Sequence, residues 1–120
     1  MEIFYLVCMI FCHIVDDFYL QGNLGLYKQK DWWKENYPDR MYKNNYIVAL
    51  LIHSFSWTFM ISIIPIIMSS CFIPVLFICN IIIHMIIDNA KANDKSIDLS
   101  LDQLIHIIQI VVTWFVYFIN

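Results

Sequence analysis

Asn80-Ile-Ile-Ile-His84-Met-Ile-Ile-Asp88 sets an amide, an imidazole and a carboxylate four residues apart in an otherwise apolar run. In a helix that spacing stacks all three side chains on one face. Beyond them the only nearby polar group is Lys91, so the His84/Asp88 pair needs partners from other segments. The surrounding Ile, Met and Cys decide the solvent. The chain has 120 residues, 61% of them hydrophobic and only 14% charged, more apolar surface than one small domain can hide from water. Lipid is the expected solvent.

Four apolar runs follow from this reading, at about residues 3–20, 46–68, 71–88 and 101–119, each about as long as a bilayer core is thick. They predict an all-α, polytopic membrane protein: one domain over residues 1–120, built as a bundle of four transmembrane helices. The first run opens with Met1-Glu2 rather than a basic segment and has no small-residue cleavage site, so it reads as a retained helix and not a signal peptide. Pro74 falls in the opening turn of the third, where a missing N–H costs least. Cys8, Cys12, Cys71 and Cys79 all lie in apolar runs with no CxxC spacing, and read as reduced small hydrophobes.

All seven Lys and Arg residues fall in two connections, 21–45 and 89–100; the connection at Ser69-Ser70 and both ends carry none. The positive-inside rule makes both charged loops cytoplasmic and puts both termini on the non-cytoplasmic side, in a bacterial inner membrane. Trp32, Trp33, Tyr37, Tyr42 and Tyr46 suit the headgroup level, which predicts a short interfacial helix in the first cytoplasmic loop; a merely solvated loop is the alternative. A net charge of −3 and the lack of a basic aromatic face of the kind that grips nucleic acid exclude that partner. The lipid bilayer is the partner expected.

Each apolar run contains one histidine: His13, His53, His84 and His106. Up-and-down topology sets all four at one depth, about 9 to 12 Å below the cytoplasmic face at about 1.5 Å per residue. Carboxylates accompany three of them: Asp17 at i+4 from His13, Asp88 at i+4 from His84, and Asp102 at i−4 from His106, each on the side nearer water. Asp16 reads as a spectator. A carboxylate at a helix centre in lipid costs about 2.5 to 3.5 kcal/mol, so such groups usually face a bundle interior and serve function. Interhelical hydrogen bonds in membranes average about 0.6 kcal/mol, which is too little to account for three His/Asp pairs as helix glue.

Imidazole and carboxylate together suit a divalent metal, with Zn, Mn, Fe and Mg all open. The expected ligands are His13, Asp17, His53, His84, Asp88 and His106. Asp102 is the candidate catalytic base, although its place after Ser100 also fits a helix cap. Lys91 is the candidate substrate-binding group, with a snorkelling interface anchor as its alternative. Gln21, Asn80, Gln103 and Gln109 extend the polar stripes and are expected to support the ligands. Two ions, or one ion with a base, would suit displacement at a phosphate ester, and the depth points to a lipid headgroup or a phosphorylated substrate. A chain of four short helices could also dimerise to enclose the site.

The ordered set His13-x3-Asp17-Phe18-x2-Gln21, His53, His84-x3-Asp88-x2-Lys91 and Asp102-Gln103-x2-His106 resembles a family of small bacterial and phage integral membrane proteins known as a domain of unknown function. At greater distance the site is similar to those of membrane-bound metal-dependent hydrolases and to the helical HxxxD ligands of zinc phospholipases. The family resemblance carries little function; the distant analogy of site adds modest support to the expectation, drawn from the residues, of a metal-dependent hydrolase of a lipid-linked or phosphate ester. The other reading is a non-enzymatic membrane module: a metal or proton carrier, or a phage-encoded partner of a host membrane protein. Haem ligation is a third reading, which the neighbouring carboxylates disfavour.

Overall fold

The computed structural model describes residues 1–119, and among them every regular element is helical. Helix α1, Glu2–Ile14, runs on without a break into a π-helical turn, Val15–Leu20. Two short helices follow in the first loop, α2 at Leu24–Tyr27 and α3 at Lys30–Asn36, with a 3₁₀ turn at Arg40–Tyr42. Helix α4 spans Asn45–Ser69, α5 spans Pro74–Asn89 and runs into a second π-helical turn at Ala90–Asp94, and α6 spans Leu99–Phe118. Taken with their flanking turns, four helices are long and apolar enough to cross a membrane: Glu2–Leu20, Arg40–Ser69, Pro74–Asp94 and Leu99–Phe118. The protein is a four-span, all-α bundle. The expected interfacial helix in the first loop is resolved into α2 and α3.

The third span departs from expectation at both ends. Ser70 takes a left-handed conformation and Ile73 an extended one, so helix α5 begins at Pro74 and not at Cys71. At its other end the π turn carries the helix past Asp88 to Asp94. All four cysteines are free, as expected.

Helix α4 packs against α1, α5 and α6 and also meets α2 and α3. Its residues are apolar almost all round, as a helix surrounded by neighbours and lipid requires. Near the termini the bundle is filled by Met9, Trp57, Ile61 and Ile110. Towards the charged loops the filling changes character. Among the described residues fifteen buried side chains are polar and seven apolar, while Phe4, Phe11, Phe55, Ile82, Ile86 and Ile108 face outward. Water would not tolerate that inversion; lipid favours it, because apolar side chains lose nothing there and polar groups find partners only inside.

Helix α6 has the one side-chain N-cap in the described chain: Asp98 accepts a hydrogen bond from the Leu101 N–H at 2.8 Å. This cap fixes the first turn and with it the register that sends Asp102 and His106 inward. Asp98→Ala should cost about 1 kcal/mol, read as an earlier unfolding midpoint when the detergent-solubilised protein is titrated with a denaturing detergent. Asp98→Asn should restore most of the loss.

Candidate metal centre

The seven residues singled out as ligands or base, His13, Asp17, His53, His84, Asp88, Asp102 and His106, are all buried at one level of the bundle. Ring centroids lie 4.1 Å apart for His84 and His106, 5.1 Å for His53 and His84, and 5.9 Å for His13 and His106. The convergence is complete within a single chain.

Asp16 is no spectator. It is 1% exposed, accepts a 2.6 Å hydrogen bond from the Ser56 hydroxyl, and has an oxygen 3.7 Å from His53 Nδ1. In an α-helix adjacent residues point about 100° apart, so the stripe that carries His13 and Asp17 does not by itself include Asp16. The π turn over Val15–Leu20 widens the helix and brings Asp16 and Asp17 inward together.

Three histidines present different chemistry. His13 is saturated: the Trp57 indole N–H, which can only donate, reaches Nδ1 at 2.8 Å, and Nε2 donates to Gln103 Oε1 at 3.0 Å. The Gln103 NH₂ donates to Asp17 Oδ2 and Asp102 Oδ2, at 3.0 and 3.1 Å, which fixes the amide's orientation. His13 therefore stands as a neutral imidazole with no lone pair to spare, although the sequence suggests a ligand.

His84 is the opposite case. It is fully buried, stacked between Trp57 at 4.2 Å and His106 at 4.1 Å, and neither ring nitrogen has a hydrogen-bond partner. A buried, unpaired imidazole costs free energy unless something coordinates it.

His106 is aimed. Its Nδ1 lies 3.1 Å from Gln109 Oε1, and the Gln109 NH₂ is committed to the carbonyl and side-chain oxygens of Asn80, 3.3 Å away in each case. Nδ1 must therefore carry the proton and donate it. Asn80 in turn donates to Thr113 Oγ1 at 2.8 Å. Nε2 then faces Asp88 Oδ1 at 3.3 Å and Asp102 Oδ1 at 3.4 Å. A bare lone pair cannot rest between two carboxylates, so that nitrogen needs a proton or shares a cation. An imidazole held by its far N–H is also the arrangement in which histidines bind metals.

His53 Nε2 lies 3.1 Å from Asp17 Oδ1 and 3.5 Å from Asp88 Oδ2. Ligand atoms come within metal-binding reach of one another in three groups: Asp17, His53 and His84; His84, Asp88 and His106; and Asp17, Asp102 and His106. Any two of these groups share one residue. Asp102, expected as a base, belongs to the third; its Oδ1 has no donor, while Oδ2 is held by Lys91 at 2.6 Å. That contact engages Lys91 with the cluster rather than leaving it a free interface anchor. Of the supporting residues, Gln103, Asn80 and Gln109 touch the cluster or its partners. Gln21 does not; its amide donates to the Asp17 backbone carbonyl at 2.9 Å and secures the end of its own helix.

Lys28 is the residue that the sequence hides. It lies in the first loop at the end of α2, yet it is 5% exposed, and its Nζ reaches Asp88 Oδ2 at 2.5 Å. Asn93, in the π turn after α5, locks the approach: it donates to the Lys28 carbonyl at 3.0 Å and accepts from the Lys30 N–H at 2.7 Å. A lone lysine following Leu24-Gly-Leu-Tyr27 is the only sequence signal, and it is indistinguishable from the other loop lysines.

Removing one partner of a buried ion pair strands the other charge, at a cost of about 3 to 5 kcal/mol. Lys28→Met should lower stability by that order in the metal-free protein. Lys34→Met, on the exposed loop, should change it by less than about 0.5 kcal/mol. Unfolding of the two variants in mixed micelles, with chelator present, checks both.

No curated protein and no solved structure matches the chain. Its residues 5–120 match the family model described as "Protein of unknown function (DUF3307)", and since that match takes in all four spans and every residue of the buried cluster, the chain belongs to this family.

Proposed function

We propose that this is a membrane-embedded divalent-metal protein whose His/Asp cluster serves hydrolysis of a lipid-linked or phosphate ester at the cytoplasmic face of a bacterial inner membrane. The observation that carries the metal reading is His84: a fully buried imidazole with both nitrogens unpaired, set among carboxylates. Charge supports it. Asp16, Asp17, Asp88 and Asp102 contribute −4, and Lys28 and Lys91 return +2, which leaves −2 when the imidazoles are neutral. One divalent cation balances that residue of charge, which lipid would otherwise penalise.

Mixed nitrogen and oxygen donors favour Zn, Mn or Fe over Mg, which prefers oxygen alone. The first and second ligand groups share His84, would hold an ion through it, and leave Asp102 outside both. A bound divalent ion supplies an acidified water and polarises a phosphoryl oxygen. The chain's own groups supply the rest. Asp102 Oδ1, with no donor, is free to take a proton, and Lys91 on Oδ2 holds the carboxylate in position. Lys91, partly exposed, also offers a charge to a phosphate approaching from the loop side. Asn80 and Gln109 hold His106 in one tautomer. The positive-inside rule directs both lysine-bearing loops, and so the cluster's end of the bundle, to the cytoplasm.

One observation favours the second reading, a metal carrier without turnover: the cluster is buried, and two cavities in the structure are lined by other residues. Purified protein should contain at least one equivalent of a transition metal by elemental analysis. His84→Ala should lose it, and His13→Gln should keep it. Gln109→Leu should weaken metal affinity about 10- to 100-fold. Metal at trace levels in the wild type, or retained in His84→Ala, overturns the site. Release of phosphate or a headgroup from lipid extracts, lost in Asp102→Asn with metal still bound, separates the enzyme from the carrier.

A further inference from the structure

At the level where the spans meet the charged loops, a cavity of about 640 Å³ opens among Lys30, Trp33, Lys34, Tyr37, Arg40 and Lys43. Asp31 and Asp39 also line it, so four cations face two carboxylates and the cavity carries a net +2. Asp31 is already engaged by Lys95 at 3.8 Å. Lys34, Arg40 and Lys43 form no ion pair with a carboxylate among the described residues. Like charges gathered around a concave space repel one another unless an anion shares it. The volume is that of a small-molecule site.

The walls are firm. Trp33 donates its indole N–H to the Tyr27 carbonyl at 2.7 Å. Trp33, Tyr37 and Tyr42 pack on one another with ring centroids 5.3 to 6.5 Å apart. Such rings belong at the depth of lipid headgroups. Arg40 opens the second membrane-crossing stretch, and Lys30 and Lys34 lie on α3, so the cations stand where the bilayer's own phosphates lie.

We propose that this cavity is a binding site for a phosphate monoester, the terminal phosphate of a lipid headgroup or of a soluble ester. A dianion matches the net +2, and guanidinium and ammonium groups are the donors that phosphate oxygens take. The cavity is joined to the buried cluster. Asn93 lines it and also holds Lys28, whose ammonium sits on Asp88. The cavity thus gives a headgroup seat to the reaction proposed above. That role rests on the hydrolase reading; binding itself does not.

The test uses the full chain in phosphatidylcholine nanodiscs, with tryptophan fluorescence reporting on Trp33. In one arm phosphatidic acid is added to the bilayer; in the other, glycerol phosphate is titrated in solution. Saturable binding in either arm is expected, and the arm that responds names the source. The Lys34→Gln/Arg40→Gln double variant should bind at least about tenfold more weakly, and Glu2→Gln, at the start of α1 and outside the cavity, should bind as the wild type does. Binding within twofold of wild type in the double variant, an equal loss in Glu2→Gln, or no binding in either arm overturns the site. Should the double variant fail to fold, salt decides in the wild type: binding that weakens as salt rises is expected, and salt-independent binding overturns it. Metal content measured on the same samples keeps the readings apart, since metal without phosphate binding removes only the cavity and phosphate binding without metal removes only the metal centre.

Discussion

Four aspartates inside a bundle meant for lipid are the constraint from which the rest of this structure follows. Each carboxylate must be met by a donor or a cation, because the surrounding hydrocarbon supplies none. Ser56 meets Asp16, Gln103 and His53 meet Asp17, Lys28 and His106 meet Asp88, and Lys91 and Gln103 meet Asp102. Those partners come from α4, α6, the π turn after α5 and the first loop, so satisfying the acids ties the long helices together at one level. The apolar layer of Met9, Trp57, Ile61 and Ile110 fills space beneath it but cannot set helix register so narrowly. In a bilayer apolar side chains slide past one another at little cost, while a carboxylate without its donor does not.

The same constraint explains what was legible in the sequence. The four spans follow from apolar runs between charged connections, and the shared depth of His13, His53, His84 and His106 follows from alternating chain direction. Neither needs a tertiary contact. Asp16 and Lys28 were hidden because each depends on one. Regular α-geometry sets Asp16 about 100° round from Asp17, off the stripe that spacing identifies, and the π turn there narrows the angle. Lys28 enters the core because the loop folds back over the bundle and Asn93 clips it there, a contact across 65 positions in sequence. His13 illustrates the converse. Its i+4 spacing to Asp17 suggests a ligand, yet what it does is set by Trp57 and Gln103, which lie 44 and 90 positions away. Spacing within a helix identifies which residues share a face, but not which of their atoms remain free.

Both π turns occur where α1 and α5 reach the charged end of the bundle. An inserted residue weakens the helix ladder locally, and the structure places it where polar contacts return the cost. The first turn brings in a second carboxylate. The second extends α5 so that Lys91 can reach Asp102 and Asn93 can reach the Lys28 carbonyl. The two distortions are complementary: one adds negative charge to the cluster, and the other delivers the cations that oppose it.

The balance they strike is incomplete, and the incompleteness is local. His13 is satisfied, whereas His84 has no partner at either nitrogen, and Asp16 and Asp102 each keep one oxygen without a donor. If the cluster were only a device for joining helices, an Ile or Leu at position 84 would pack between Trp57 and His106 with no unpaired polar atom. An imidazole there is costly for structure alone, and the metal coordination proposed above would make it favourable. The chain's other long-range clip, from Asn93 through Lys28 to Asp88, runs from that same centre to the loop that carries the unpaired cations. A change in charge at Asp88 therefore acts directly on the ammonium that holds the loop down, which couples the buried centre to the membrane surface through one side chain.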